Sequence, residues 1–225
     1  FVVEDLSMHM LKGIAEPMRL YRAAGAGVSR RRSFEGRAHT PFVGREDDMQ
    51  LLARRWQSVR DGEGQLVLVM GEAGIGKSRQ LDEFRSRLKG DPHLWIACAG
   101  EELHSNTPFH AVTQMLDQGL GWRGDESKEE RFAALERALH TAGLNLDEAL
   151  PLIAEMLDLP LSANYAAVKF TPEQKRKRLF AALSGWVYWA ATIQPLVIAV
   201  EDMHWADPST IELLQMLAEQ GATMP

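Results

Sequence analysis

Eight residues constrain this chain more than any others: Gly71-Glu72-Ala73-Gly74-Ile75-Gly76-Lys77-Ser78, spaced G-x-x-x-x-G-K-S. By average residue usage such a string arises by chance in about one chain in a hundred of this length. Its flanks make it more specific. Gln65–Met70 (QLVLVM) is a short apolar run of the kind a buried parallel strand needs, and Lys77–Leu88 reads as a helix ending at Gly90, with Pro92 beyond. Between strand and helix, glycines permit backbone conformations in which successive N–H groups point inward and form an anion nest. The start of the helix adds the positive end of its dipole. Lys77 is then placed to reach outer phosphates, and the Ser78 hydroxyl to ligate Mg²⁺. The string reads as a phosphate-binding loop, and a fold that carries one is built from strands alternating with helices.

The rest of the chain fits that demand. A helix follows Gly44, carries Leu51, Leu52, Trp56 and Val59 on one face, and stops at Gly62. His93–Ala99 (HLWIACA) reads as a second strand and Leu196–Val200 (LVIAV) as a third. The stretch between them is helical. Ser127 with Glu130 forms one capping box and Thr171 with Gln174 another, the latter with Pro172 at the first helical position. The helix after Thr171 carries Leu179, Leu183, Trp186 and Trp189, while Leu146–Leu157 is a further helix whose middle Pro151 disturbs. The expectation is an α/β protein: a three-layer α/β/α parallel sheet with a helical insert over 101–170.

The third strand ends in two acids, Glu201 and Asp202. An apolar strand closing on acids behind a phosphate loop reads as a Walker B element, in which one acid holds Mg²⁺ and the next orients the attacking water. Glu201 is assigned to the metal and Asp202 to the water, with the reverse assignment open. Asp207 precedes Pro208-Ser209-Thr210 and reads as a helix N-cap. His204 either senses a γ-phosphate or packs beside the site. His104, His110 and His140 show no metal-ligand spacing and Cys98 has no second cysteine to join, so no zinc site is expected.

Composition excludes several classes. With 45% hydrophobic and 25% charged residues the usage is globular. The net charge of −6 argues against a dedicated nucleic-acid binder, which needs a basic surface. A single cysteine excludes a disulfide framework and fits a reducing, cytoplasmic compartment. The longest apolar stretch, Trp186–Val200, is broken by Gln194 and Pro195 and falls short of the roughly 20 residues of a membrane span. Residues 1–24 read as β structure too short for a core, with a turn at Lys12-Gly13 and an edge position marked by Pro17. Residues 25–40 hold Arg30, Arg31, Arg32 and Arg37 among Ala, Gly and Ser, and read as a solvated tether rather than a nucleic-acid or lipid contact. The absence of a starting Met and the end at Pro225 read as a piece of a longer protein.

Phe42-Val43-Gly44-Arg45-Glu46, then GEAGIGKS, then VEDMHWADPST together resemble the Orc1-like AAA ATPase domain of the STAND signalling P-loop NTPases, over residues 41–225. The resemblance implies an ATP-binding and hydrolysing switch with Mg²⁺. It implies that Val43, Gly44 and Arg45 lie against adenine and ribose, and that Gly71, Glu72, Ala73, Gly74, Ile75, Gly76, Lys77, Ser78 and Arg79 surround the phosphates. Ser78 and Glu201 would hold the metal, and Lys77, Glu201 and Asp202 would carry the chemistry. Asp48 stands where the family prefers Glu. Residues 1–24, with L-K-G-x-x-E-P followed by L-Y-R, are similar to the last strands of a class III adenylate/guanylate cyclase domain. That resemblance would put Lys12 on substrate triphosphate in a complete cyclase dimer; the catalytic residues of such a domain are not in this piece. Cyclase tail, tether and ATPase together imply a bacterial signalling protein with helical repeats downstream and protein partners. A regulatory ATP/ADP-binding scaffold without turnover is the competing reading, and a nucleic-acid-associated ATPase a third.

The family's strand order, 5-1-4-3-2, carries a further expectation. The Gln65–Met70 and Leu196–Val200 strands should not be hydrogen-bonded to each other but lie about 10 Å apart, two strand spacings, with a slot between them. The isolated piece should then be poorly stable or aggregation-prone, and slow to hydrolyse ATP.

Overall fold

A computed structural model describes residues 3–9, 18–23, 41–162, 164–165 and 169–221. The chain divides into two units, Phe1–Phe42 and Val43–Pro225. In the first, β1 (Val3–His9) and β2 (Met18–Ala23) form an antiparallel pair, with Val3 opposite Ala23 and His9 opposite Met18. The register shifts between Asp5 and Met8, as at a β-bulge. The expected turn at Lys12-Gly13, Pro17 and the tether at 25–40 lie outside the described residues.

The second unit is built on a parallel pair, β3 (Leu94–Ala99) and β4 (Leu196–Glu201), in register from Leu94 opposite Leu196 to Ala99 opposite Glu201. These are the expected second and third strands, and their adjacency follows the expected order. Alternate residues of β3 face opposite layers. Ile96 and Cys98 pack with Ile198 and Val200 against Ala111 and Met115 of α3 (His110–Gly119). On the other face the Trp95 ring lies 6.3 Å from Phe84 of α2 (Lys77–Arg87), and His93, just before the strand, has its ring 5.7 Å from Trp56 of α1 (Glu46–Arg60). Helices thus cover both faces of a small parallel sheet.

The free edge of β3 is closed by side chains. Gln118 of α3 accepts from the Ala97 N–H at 3.1 Å and donates to the Ala97 carbonyl. Gln114 accepts from Ala99 N–H at 3.4 Å. Two glutamines one helical turn apart take the place of a neighbouring strand and satisfy an edge that would otherwise template pairing with another chain.

The largest core lies among the helices rather than on the sheet. Beyond α3 come α4 (Lys128–Thr141), α5 (Leu146–Met156), α6 (Pro172–Ile193) and α7 (Pro208–Gly221). Leu135, Leu139, Leu150 and Ile153 are wholly buried there, with Val112, Phe180, Leu183 and Leu213 around them. Both capping boxes are present: Ser127 with Glu130, and Thr171 with Gln174. Pro151 sits buried inside α5 without ending it. Its ring frees the carbonyl of Asp147, an exposed first-turn residue whose carbonyl water can reach.

Two expectations are corrected. Gln65–Met70 forms no strand. Among the described residues nothing pairs with it, and Leu66, Val67, Leu68, Val69 and Met70 are all exposed. A parallel strand is stable only with neighbours that satisfy its backbone and cover its apolar faces, and no described segment supplies either. The expected spacing of this run from β4, two strand widths with a slot between, therefore has no strand to which it applies. The second correction is in α1, where Met49, Leu52 and Trp56 are buried and Leu51 is exposed. The buried stripe runs i, i+3, i+7 from Met49 through the expected Leu52 and Trp56, which leaves Leu51 on the solvent side.

Asp207 ties the helical core to the sheet. Its Oδ1 accepts from Ser209 and Thr210 N–H, both at 3.0 Å, and Oδ2 from the Thr210 hydroxyl at 2.6 Å. The same Oδ1 accepts from Phe109 N–H at 2.9 Å, 98 residues away in sequence. Phe109 is held at φ 61, and the side chain of Asp207 is 2% exposed. Burial alone would raise its carboxyl pKa, but the hydrogen bonds from Thr210, Phe109 and Ser209 outweigh it and hold the group below the usual carboxylate value. A depressed folded-state pKa gives stability that is present above the ordinary carboxylate range and is lost as pH falls through the folded value. Asp207→Ala is expected to cost roughly 2–4 kcal/mol in urea unfolding at neutral pH. The difference between wild type and variant should shrink in acid, and a difference independent of pH would contradict this account.

Candidate functional site

The glycine loop has the backbone its sequence demands. Gly74 and Gly76 adopt φ +80 and +98, and Gly76 is the left-handed cap on the N-terminus of α2. Side chains other than glycine are strained at such angles, so these two positions let the chain curl and direct N–H groups into one concavity. Lys77 folds back across the loop, donating from Nζ to the Gly71 carbonyl at 2.9 Å and to that of Glu72 at 3.0 Å. Glu72, Ala73, Gly74 and Ile75 are exposed, while Lys77 and Arg79 are half-buried in the first turn of α2.

Ser78, also in that turn, donates from Oγ to Glu201 Oε2 at the end of β4. This contact joins segments 123 residues apart. A hydroxyl and a carboxylate brought together beside the glycine loop form an all-oxygen donor set of the kind Mg²⁺ takes. Asp202 follows in the left-handed region at φ 49, which Asp tolerates better than most residues, and its carbonyl accepts from Trp205 N–H at 2.9 Å. The chain thereby turns sharply out of the sheet at the two acids. Cys98, on the adjacent strand, has its thiol pKa pushed up to about 12, by burial first and then by the charge of Glu201. It stays a protonated, inert thiol beside the acids.

Arg45 is drawn to the same loop. Its guanidinium donates to the Ile75 carbonyl at 2.6 Å and to Gln80 Oε1 at 2.9 Å, with Asp48 at 3.9 Å. Gly44 takes φ +80, and Val43 is 76% exposed. His204 is exposed, its ring 5.0 Å from Trp205. The Val43–Arg45, Gly71–Arg79 and Glu201–Asp202 segments all belong to the second unit; hydrogen bonds link Arg45 to the loop and Ser78 to Glu201.

Sequence reasoning missed two features. Gly100 leaves β3 with its N–H on the Glu201 carbonyl at 2.9 Å, and a Cβ there would meet the Asp202 carbonyl oxygen at 2.4 Å and Ala206 N at 2.6 Å. A lone glycine after a strand was the only available signal. The second is a grouping that no spacing along the chain signals: Glu101, His104 and His110 converge so that one ligand-type atom of each lies within 4.8 Å of the others.

The AAA ATPase domain family matches residues 41–225. The chain is 31% identical over 221 residues to an uncharacterized protein of Rhizobium meliloti, a match that covers 96% of this chain and 21% of that protein. It is 22% identical over 178 residues to the hybrid signal transduction histidine kinase G of Dictyostelium discoideum, covering 79% of this chain and 5% of that protein. It therefore spans only about a fifth or less of the length of these relatives. No solved structure matches. The chain belongs to the AAA ATPase domain family and carries a general ATP-binding P-loop module. No described helix is long and apolar enough to cross a membrane.

Gly100→Ala is expected to force the Asp202 turn off β3 and to lower stability by roughly 2–3 kcal/mol, measured by urea unfolding. A variant as stable as wild type would mean the turn yields freely.

Proposed function

We propose that this chain is the ATP-binding switch module of a larger bacterial signalling protein, and that in its full-length setting the module hydrolyses ATP. The observation that carries this reading is the contact between Ser78 and Glu201, which unites the glycine loop with the acidic strand end. The backbone nest at Gly74 and Gly76 and the amine of Lys77 fit the phosphates. Ser78 and Glu201 fit Mg²⁺, and the partnership of Glu201 with Ser78 supports it over Asp202 as the metal-side acid. When bound, Mg²⁺ would neutralise phosphate charge. Asp202, held on the adjacent turn, is the residue proposed to orient and deprotonate the attacking water. Val43, Gly44 and Arg45 are proposed to face the base and ribose, with Arg45 bracing the loop through Ile75.

A γ-phosphate gives Lys77 and the metal-side oxygens contacts that a diphosphate cannot, so the two nucleotides favour different conformations. The Rhizobium match reaches past the ATPase region into the first 40 residues, and the Dictyostelium relative is by name a signal transduction kinase. The small share of each relative that is matched supports a multidomain setting, and the name of the Dictyostelium relative supports a signalling one. The β1–β2 pair is proposed as the tail of a class III cyclase domain, with helical repeats downstream, protein partners, and a cytoplasmic location.

Calorimetry with Mg-ATP and Mg-ADP tests the reading. Lys77→Ala removes charge-assisted hydrogen bonds, each about 1.5–3 kcal/mol, so affinity should fall roughly 10- to 100-fold. In the full-length protein Asp202→Asn should keep binding and lose turnover. Undiminished binding by Lys77→Ala would overturn the site. Turnover absent from the wild-type full-length protein, with binding intact, would instead establish a non-hydrolysing scaffold.

A further inference from the structure

The entry to α3, with α5 and α6, leaves a cavity of about 380 Å³ that is open to solvent. That volume lies within the span of small-molecule sites, about 300–1,000 Å³. No residue lining it belongs to the proposed nucleotide site. Its inner wall is apolar: Phe109, Leu152 and Leu179 are each less than a tenth exposed, and Met156 joins them from α5. Its outer members are charged. Lys175 and Arg176 come from the N-terminal part of α6 and Glu155 from α5. Two cations to one carboxylate leave the lining net positive.

The cavity is firm where it is apolar and yielding where it is charged. Phe109 is anchored by its N–H on Asp207 Oδ1, and its ring meets Phe180 edge-on at 5.6 Å. The Arg176 guanidinium lies 5.0 Å over the same Phe180 ring and donates to Ser209 Oγ at 3.3 Å and to Glu212. Those bonds use two of the five N–H groups a guanidinium carries. Lys175 donates from Nζ to both carboxylate oxygens of Glu155, at 2.9 and 2.8 Å. The Glu155 side chain is 62% exposed, and an ion pair in that setting contributes little stability. Glu155 therefore turns into solvent at small cost when another anion takes its place on Lys175, and no charge is left buried.

We propose that this cavity binds a small amphiphilic carboxylate, its apolar chain against Phe109, Leu152, Met156 and Leu179 and its head group on Lys175 and Arg176. Charge-assisted hydrogen bonds from both cations to one carboxylate supply the selectivity. A neutral amphiphile gains only the apolar wall, and a cationic one meets two like charges. Phe109 and Arg176 also hold the start of α7, through Asp207 and Ser209, so an occupant rests against the segment that follows the acidic turn. The site does not depend on the nucleotide reading, and its binding is measured without nucleotide.

The test is titration of the full chain with octanoate, octanol and octylamine, read by NMR at the methyl group of Met156. The methyl of Met70, 80% exposed on the Gln65–Met70 run, serves as the control for unspecific apolar contact. Octanoate should shift the Met156 methyl saturably and leave Met70 unmoved. Hexanoate, shorter by a pair of methylenes, should bind roughly tenfold more weakly, since each buried methylene is worth about fourfold. Octanol and octylamine should bind about tenfold more weakly than octanoate, or worse. Lys175→Glu should weaken octanoate by roughly tenfold or more, and Met156→Trp, which fills the cavity, should abolish binding. The head-group comparison is made on the wild type and needs no variant to fold. The proposal is overturned by an unmoved Met156 methyl, by an unsaturable shift matched at Met70, by octanol or octylamine binding as tightly as octanoate, or by Lys175→Glu binding octanoate like the wild type.

Discussion

The hydrogen bond from Ser78 to Glu201 is the point on which the functional half of this molecule turns. Each partner is set by local rules: Ser78 by a helix that starts immediately after Gly76, Glu201 by a strand that ends where Asp202 takes a left-handed turn. Neither rule brings the two together. That requires the intervening chain to fold so that β4 returns beside β3, with α3 over one face and α1 and α2 over the other. A hydroxyl and a carboxylate thus meet at the C-terminal end of parallel strands, where open α/β sheets place their ligands.

Two further ties make the sheet end and the helical core answer to each other. The Asp207 carboxylate caps α7 and also holds Phe109 at the start of α3. Gly100 allows the exit of β3 to lie against the turn after β4. The acids therefore sit on a turn clamped by the largest core among the described residues. A change in contacts at Glu201 or Asp202 has a short mechanical route into α3 and α7, through packed backbone rather than flexible loops. The switch proposed for this chain depends on such a route, because a ligand shifts an equilibrium only through contacts that differ between the two states.

Much of this was legible in the sequence, and the reasons differ by element. The glycine loop was legible because its spacing answers one backbone demand, met at Gly74 and Gly76. α4 and α6 were legible because Ser127/Glu130 and Thr171/Gln174 satisfy helix ends locally. The Asp207 cap was read in the same way, though its bond to Phe109 spans 98 residues and has no local signature. Gln65–Met70 has the right composition for a strand, but composition supplies no partner, and strand formation is a property of pairs. The glutamines on the β3 edge and the meeting of Glu101, His104 and His110 depend on how α3 lies against the sheet, which no spacing along the chain encodes.

The central claim is that the loop and the strand end form one metal-dependent nucleotide site, and a double-mutant cycle addresses it most directly. Mg-ATP affinity would be measured for wild type, Ser78→Ala, Glu201→Gln and the pair. If both residues hold the same ion, either single change removes the gain in affinity that Mg²⁺ confers, and the double variant loses little more. Losses that simply add, or an affinity indifferent to Mg²⁺ in the wild type, would contradict the account.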